Sequence, residues 1–349
     1  MPAVTDAPAP IGVAVVGAGG WGRNIVRACA TLPGCGLRYI CDVREDILAE
    51  NRALYPAVAV TADLDAVLRD DAVQAVCVAV PAARHHAVAK AVLAAGRHAF
   101  VEKPLTLRAD HAEELVALAE RAGRTLMVGH LLLYHPAVLH VRRLIESGEL
   151  GQVLYVYSQR VNLGIVRRDE NAWWSLAPHD ISVAQFLLGA RATRVAATGR
   201  CYLQRDLGVE DVVFASVDFD NGALAHLHCS WLDPHKLRRI TVVGTRRMVV
   251  FDDMEATEKL RIYDKGADVE PGYVDYANAV RIRVGDVLSP AVRGPEPLRA
   301  ELAHFLDAVR GGTRPRSDGR NGADVVRVLV AGHASLAAGG AAVTVEGAA

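Results

Sequence analysis

The segment 11-IGVAVVGAGGWGRNIVRACATL-32 constrains this chain more than any other. An apolar run, 11–16, leads into glycines at 17, 19, 20 and 22, and apolar residues at helical spacing follow. This is the order of a buried strand, a sharp turn and a helix. Gly17 permits the tight turn, and Gly19 lets a pyrophosphate approach the main chain. Gly22 lets helix and strand pack closely, with the phosphates at the positive helix end. The pattern G-x-G-x-x-G is common by itself, so the context decides. A second apolar run, 37-LRYIC-41, ends at Asp42, 20 residues after Gly22. An acid there accepts hydrogen bonds from the ribose hydroxyls of NAD and repels the extra 2′-phosphate of NADP. Arg44, close by, works in the opposite direction. The residues expected to hold NAD at this end are Gly17, Gly19, Gly20, Trp21, Gly22, Asp42 and Val43.

The alternation continues. A helix is expected near 63–69, a buried strand at 75-AVCVAV-80 and a helix at 85–95. A strand at 98-HAFV-101, a helix at 108–122 and a strand at 125-TLMVG-129 follow. Repeated units of this kind predict a doubly wound parallel sheet with right-handed crossovers. Ligands of such sheets bind beyond the carboxyl ends of the strands. The residues found there are Pro81 and His85, then Glu102-Lys103-Pro104, then His130. Lysine is ordinarily a surface residue. Lys103, however, directly follows an apolar strand, and Pro104 restricts the backbone on both sides of their peptide bond. Partial burial would lower its pKa and suit it to proton handling. Glu102 would counter that shift if it points the same way.

A chain of 349 residues suits two domains, placed here at 1–131 and 132–349. In the second half, 152–163 reads as a strand and 167-RRDE-170 as a charged loop. In 171-NAWWSLAPHDISVAQFLLG-189, Pro178 suits a first helical turn and Gly189 a helix end. His179 would then lie near the positive helix end, which disfavours imidazolium and leaves a neutral proton acceptor. The other readings are a packed core histidine and a metal ligand; no H-x-x-x-H or cysteine partner stands near it for the latter. The runs 211–219 and 223–232, joined by Asn221-Gly222, predict a β-hairpin with His226 and His228 on one face. Further strands at 240–244 and 247–253 extend a mainly antiparallel sheet, and helices are expected at 297–312 and 322–336. Asp233, His235 and Lys236 fall in a turn that lines either the substrate site or a subunit contact.

A formal net charge of −1 argues against a nucleic-acid surface. No apolar run approaches the roughly 20 residues that span a bilayer. The start, MPAVTDAPAP, lacks the features of a signal peptide and reads as a loose tail. Six cysteines without C-x-x-C spacing read as reduced thiols, which suits a cytoplasmic protein; no metal is expected.

The glycine turn, 81-PAARH-85 and 94-AAGRHAFVEKPL-105 together resemble the Gfo/Idh/MocA (glucose-fructose oxidoreductase/inositol dehydrogenase) family over nearly the whole chain. The resemblance implies an N-terminal Rossmann domain with an E-K-P motif and a C-terminal α+β domain on a large open sheet. It also implies NAD(P)-dependent oxidation of sugars, inositols or nucleotide sugars, by a homodimer or homotetramer assembled through that sheet. Segments 162–180 and 230–244 are similar to a subgroup linked to nucleotide sugars. By this resemblance Lys103 and His179 work together over the nicotinamide, whose end is shaped by Pro81, His85 and Glu102. Tyr134, Arg167, Asn171, Trp173, Trp174 and Ser175 are the implied substrate contacts.

Many relatives carry an aspartate four residues before the histidine, where this chain has Ser175. Three accounts are open: Ser175 bonds substrate or water, Asp180 replaces the missing carboxylate, or catalysis is weakened. The expected activity is NAD-dependent oxidation of a secondary hydroxyl, at C3, of a nucleotide-linked hexose. Arg167 and Arg168 favour a diphosphate, against Asp169 and Glu170 in the same loop. The alternatives are dehydrogenation of an aminoglycoside sugar or cyclitol and, in another class, a non-catalytic NAD-binding regulatory protein.

Overall fold

The computed structural model describes residues 9–164, 166–269 and 280–347. Of the expected N-terminal tail, residues 1–8 lie outside the described residues. The chain forms two compact units. Residues up to Leu131 together with Glu296–Val326 make the first, and the remainder makes the second.

The first unit opens with β1 (Ile11–Val16), α1 (Gly22–Thr31), β2 (Cys35–Cys41), α2 (Glu45–Leu54), β3 (Ala59–Thr61) and α3 (Leu64–Arg69). It continues with β4 (Ala75–Val78), α4 (Ala82–Ala94), β5 (His98–Glu102), α5 (Ala109–Ala122) and β6 (Leu126–Gly129). The strands form one parallel sheet in the order β3-β2-β1-β4-β5-β6. The order reverses beside β1, which creates the crevice where dinucleotides bind in such folds. Every residue of β1 and β4 is buried, as helices on both faces of a parallel sheet require. The predicted strands and helices are present with shifted ends. The helix α4 begins at Ala82 behind Pro81, so His85 lies within it rather than at its start. The short β3 and the charged α2 were not anticipated, because α2 buries only Ile47, Leu48 and Asn51.

The second unit contains α6 (Pro136–Glu146), β7 (Val153–Val161), α7 (Ala172–Leu188), β8 (Ala192–Arg200), β9 (Val212–Phe219) and β10 (Leu224–Ser230). Then come β11 (Leu237–Gly244), β12 (Met248–Asp252), β13 (Leu260–Val269) and β14 (Val280–Leu288). After α8 (Pro297–Gly311) and α9 (Gly319–Ala337), the short β15 (Val343–Thr344) completes a nine-stranded sheet. Its order is β14-β13-β12-β11-β7-β10-β9-β8-β15. Among the described residues, only the β7–β10 pair of this sheet is parallel, and the rest are antiparallel. The hairpin β9–β10 has the expected register, from Leu224 opposite Asp218 to Ser230 opposite Val212. One face of the sheet carries α7, which packs on β7, β9 and β10.

Two expectations need correction. Residues 296–326, expected in the second domain, belong to the first compact unit, where Phe305 of α8 packs against Phe100 of β5 at 5.8 Å. Pro178 does not open α7. The helix starts at Ala172, where the Asn171 side chain accepts a hydrogen bond from Trp174 N at 3.0 Å. That cap and the apolar residues after it start the helix earlier, and Pro178 forgoes one internal hydrogen bond. His179 therefore lies in mid-helix, away from the positive end, and the helix-end argument for a neutral ring does not apply.

Candidate active site

The first unit presents a cradle suited to a dinucleotide. Gly17 has φ 88° and its place is hemmed by Ala79, while a Cβ at Gly22 would stand 1.9 Å from the Gly17 carbonyl oxygen. Only glycines allow α1 to start so close to β1. At the end of β2, Asp42 Oδ2 accepts from Ala18 N at 2.8 Å, and Oδ1 accepts from Arg44 N at 3.0 Å. This ties the carboxylate to the glycine turn, where it can meet a ribose. The Arg44 guanidinium lies over Gly19 and 3.7 Å from Asp42. Gly20, Trp21 and Val43 are exposed beside it. The cradle fits a dinucleotide: open glycine main chain at a helix N-terminus and a fixed acid at the neighbouring strand end.

At the end of β5, Glu102 is buried and Lys103 half-buried. The Lys103–Pro104 peptide bond is cis. Glu102 Oε1 accepts from Trp21 Nε1 at 2.7 Å, and Oε2 accepts from Lys103 N at 3.2 Å. Burial pushes the Glu102 pKa up to about 7, against the opposing pull of Lys103 and the Trp21 hydrogen bond. His130 is buried at the end of β6, and burial, with the Lys103 charge second, takes its pKa down to about 3.

His85 is buried. One ring nitrogen lies 2.7 Å from the Pro104 carbonyl oxygen and the other 2.8 Å from that of Val80. Burial lowers its pKa, opposed by those carbonyls and assisted by Lys103. Both ring nitrogens face main-chain carbonyls, so the imidazole braces the turn after Lys103. Pro81 is exposed at the N-cap of α4.

In the second unit, α7 places Ser175 one turn before His179 and on the same side. Ser175 is buried and His179 half-buried. Asp180 is buried in a bidentate pair with Arg160 of β7, at 2.8 and 3.1 Å. Burial opposes the Arg160 charge, yet Asp180 raises its pKa above the usual value. Asp180 is thus committed to Arg160 and does not replace the missing carboxylate beside His179.

The tryptophans divide. Trp173 is a core residue whose Nε1 donates to the Leu329 carbonyl at 2.9 Å. Trp174 is half-buried, 6.5 Å from the His333 ring. Asn171 is held by its own neighbours. Besides capping α7, its Nδ2 donates to Glu210 at 2.8 Å. Tyr134 is buried, and Arg167 pairs with Glu170 at 3.0 Å. On the sheet, His226 meets Ser216 at 3.2 Å and His228 stacks on Phe214 at 4.3 Å. The Asp233 carboxylate accepts from His235 N at 2.9 Å, closing its own turn.

Sequence reasoning missed two residues near Glu102: Gly129, which lies against its carboxylate, and Glu301 of α8, wholly buried and subject to its charge. Glu301 left a signal, because it interrupts the apolar face of Leu298, Leu302, Phe305 and Leu306.

The fold and the cradle define an NAD-binding oxidoreductase with a second, sheet-based unit. Residues 11–130 match the NAD-binding Rossmann fold of the GFO/IDH/MocA oxidoreductase family, and residues 138–250 match that family's C-terminal domain. The chain belongs to the Gfo/Idh/MocA family. It is 30% identical to UDP-N-acetylglucosamine 3-dehydrogenase of Acidithiobacillus ferrooxidans over 71% of this chain and 77% of that protein. It is 25% identical to scyllo-inositol 2-dehydrogenase (NAD(+)) of Bacillus subtilis over 71% of each. Among solved structures, GenD2 from gentamicin A biosynthesis in complex with NAD is 27% identical, with a TM-score of 0.79 over 99% of both chains.

Proposed function

We propose that this oxidoreductase uses NAD to oxidise a secondary hydroxyl, at C3, of a nucleotide-linked hexose. The observation that carries the reading is the end of β5: a half-buried lysine beside a held carboxylate, beyond the carboxyl ends of the central strands. The cofactor, when bound, supplies the hydride-accepting ring. The glycine turn and Asp42 hold it, and Asp42 disfavours a 2′-phosphate. Lys103 polarises the reacting oxygen, and His179 takes the hydroxyl proton. Ser175 orients by hydrogen bonding and contributes no charge. Trp174, Tyr134 and Arg167 remain candidate substrate contacts. The similarity to a UDP-N-acetylglucosamine 3-dehydrogenase supports both the nucleotide sugar and the carbon.

The pairing of Arg167 with Glu170 reduces its support for a diphosphate, and the full-length likeness to GenD2 favours a second reading, an aminoglycoside sugar. A cytoplasmic homodimer or homotetramer belongs to the same proposal. Tyr155, Tyr157, Phe214 and Leu224 are exposed on the sheet, and among the described residues no helix is long and apolar enough to cross a membrane.

The test is NADH formation from UDP-N-acetylglucosamine, compared with a pseudo-disaccharide aminoglycoside precursor, in wild type and Lys103→Ala. Turnover of the nucleotide sugar that falls at least about a hundredfold in the variant is expected, within the range for loss of an acid–base group. A variant with full rate removes Lys103 from the reaction, and exclusive turnover of the aminoglycoside favours the second reading.

A further inference from the structure

We propose that Trp21 is a positioning residue whose indole N–H fixes the Glu102 carboxylate and so ties the glycine turn to the strand end that carries Lys103. The proposal deepens the dehydrogenase reading and rests on it for the role of Lys103.

Glu102 is held from three sides. Trp21 donates to one oxygen at 2.7 Å and the Lys103 main chain to the other at 3.2 Å. On the third side, a Cβ at Gly129 would stand 3.1 Å from the carboxyl carbon and from both oxygens. The carboxylate therefore lies against the β6 main chain, in a space that a side chain at 129 would contest. Trp21 itself is 46% exposed, so its ring is not placed for burial. Its one polar atom bonds a buried acid 81 residues away. Hydrogen bonds to an ionised acceptor are roughly twice as strong as neutral ones.

The titratable groups that act on this carboxylate are Lys103 at the strand end and Glu301 from α8, while His130 after β6 and His85 from α4 feel the Lys103 charge. Burial disfavours the charged forms of Glu301 and of both imidazoles, and Lys103 is the cation whose charge acts directly on Glu102. The Trp21 N–H opposes the effect of burial and helps hold Glu102 ionised. Without that donor, Glu102 retains its proton to higher pH and Lys103 loses its counter-charge.

Trp21→Phe removes the donor and keeps an aromatic ring. Two measurements follow. The first is carbon-13 NMR titration of glutamate side-chain carboxyls in the cofactor-free protein, with the Glu102 signal assigned through Glu102→Gln. The second is the pH profile of kcat/KM with UDP-N-acetylglucosamine and NAD. The Glu102 midpoint is expected to rise by about one pH unit in Trp21→Phe, the scale of one hydrogen bond to a charged group. The acid limb of the rate profile is expected to rise with it. Gly129→Ala, which crowds the carboxylate away from its donor, should move the midpoint in the same direction. Unchanged midpoints in both variants overturn the proposal. A raised midpoint with a fixed acid limb also overturns it, since the contact then does not reach the reaction. Full activity in Lys103→Ala would instead defeat the role of Lys103 while leaving the NMR result intact, so the two failures are distinguishable.

Discussion

Replacing Glu301 with methionine should stabilise the first unit, and by more as pH rises. Glu301 is wholly buried on the apolar face of α8, and neither carboxyl oxygen meets a protein donor among the described residues. An unsatisfied buried polar group costs about 1–3 kcal/mol, and methionine fills similar space without that cost. The pH dependence adds to this. Burial, with the Glu102 charge second, raises the Glu301 pKa well above its ordinary value. A glutamate in the unfolded chain titrates near about 4.3. Above that pH the unfolded chain releases a proton that the folded state keeps, so folding loses about 1.4 kcal/mol per pH unit until the folded group itself ionises. The advantage of the variant should therefore grow as pH rises above the unfolded value. Urea midpoints followed by circular dichroism across this range, for wild type, Glu301→Met and Glu301→Gln, measure it. Glutamine should remove the pH slope but keep much of the burial cost. Parallel wild-type and methionine curves, or a methionine variant weaker at every pH, would refute the reasoning.

In the second unit, Asp180→Ala should cost about 3–5 kcal/mol in thermal or urea unfolding, because it leaves Arg160 buried without its partner. The double replacement Arg160→Met with Asp180→Leu should recover most of that loss; a single variant as stable as wild type would show the pair to be solvated. At the cofactor cradle, Asp42→Ser should raise the KM for NAD by about 10- to 100-fold, the value of hydrogen bonds to a charged acceptor, and narrow the preference over NADP. Steady-state kinetics with both cofactors decides this, and an unchanged NAD/NADP ratio would count against Asp42 as the selector.

Much of the first unit was legible because its physics is local. A parallel strand buried on both faces must be apolar, and 75-AVCV-78 says so. The glycine at 17 answers a backbone requirement that few other residues meet. The hairpin was legible from Asn221-Gly222 between alternating runs. The start of α7 was misread because Pro178 resembles an N-terminal signal, while the true cap, Asn171, lies farther upstream. The functional residues were legible as positions and not as partners. The placement of His85 behind a strand does not reveal that both its nitrogens go to carbonyls, nor does Asn171 in a loop announce a contact with Glu210. The amphipathic pattern of α8 shows that one face is covered, without showing which core covers it.

The division of the first unit between two distant stretches of chain bears on its biosynthesis. When the ribosome has released all six strands of the parallel sheet, the helix bearing Phe305 is still untranslated, and Phe100 has yet to meet its neighbour. The usual order, in which an N-terminal domain is finished before the next begins, is closed to this protein. Its nucleotide-binding unit is begun before the sheet of the second unit and completed only after residues 132–295 have been made.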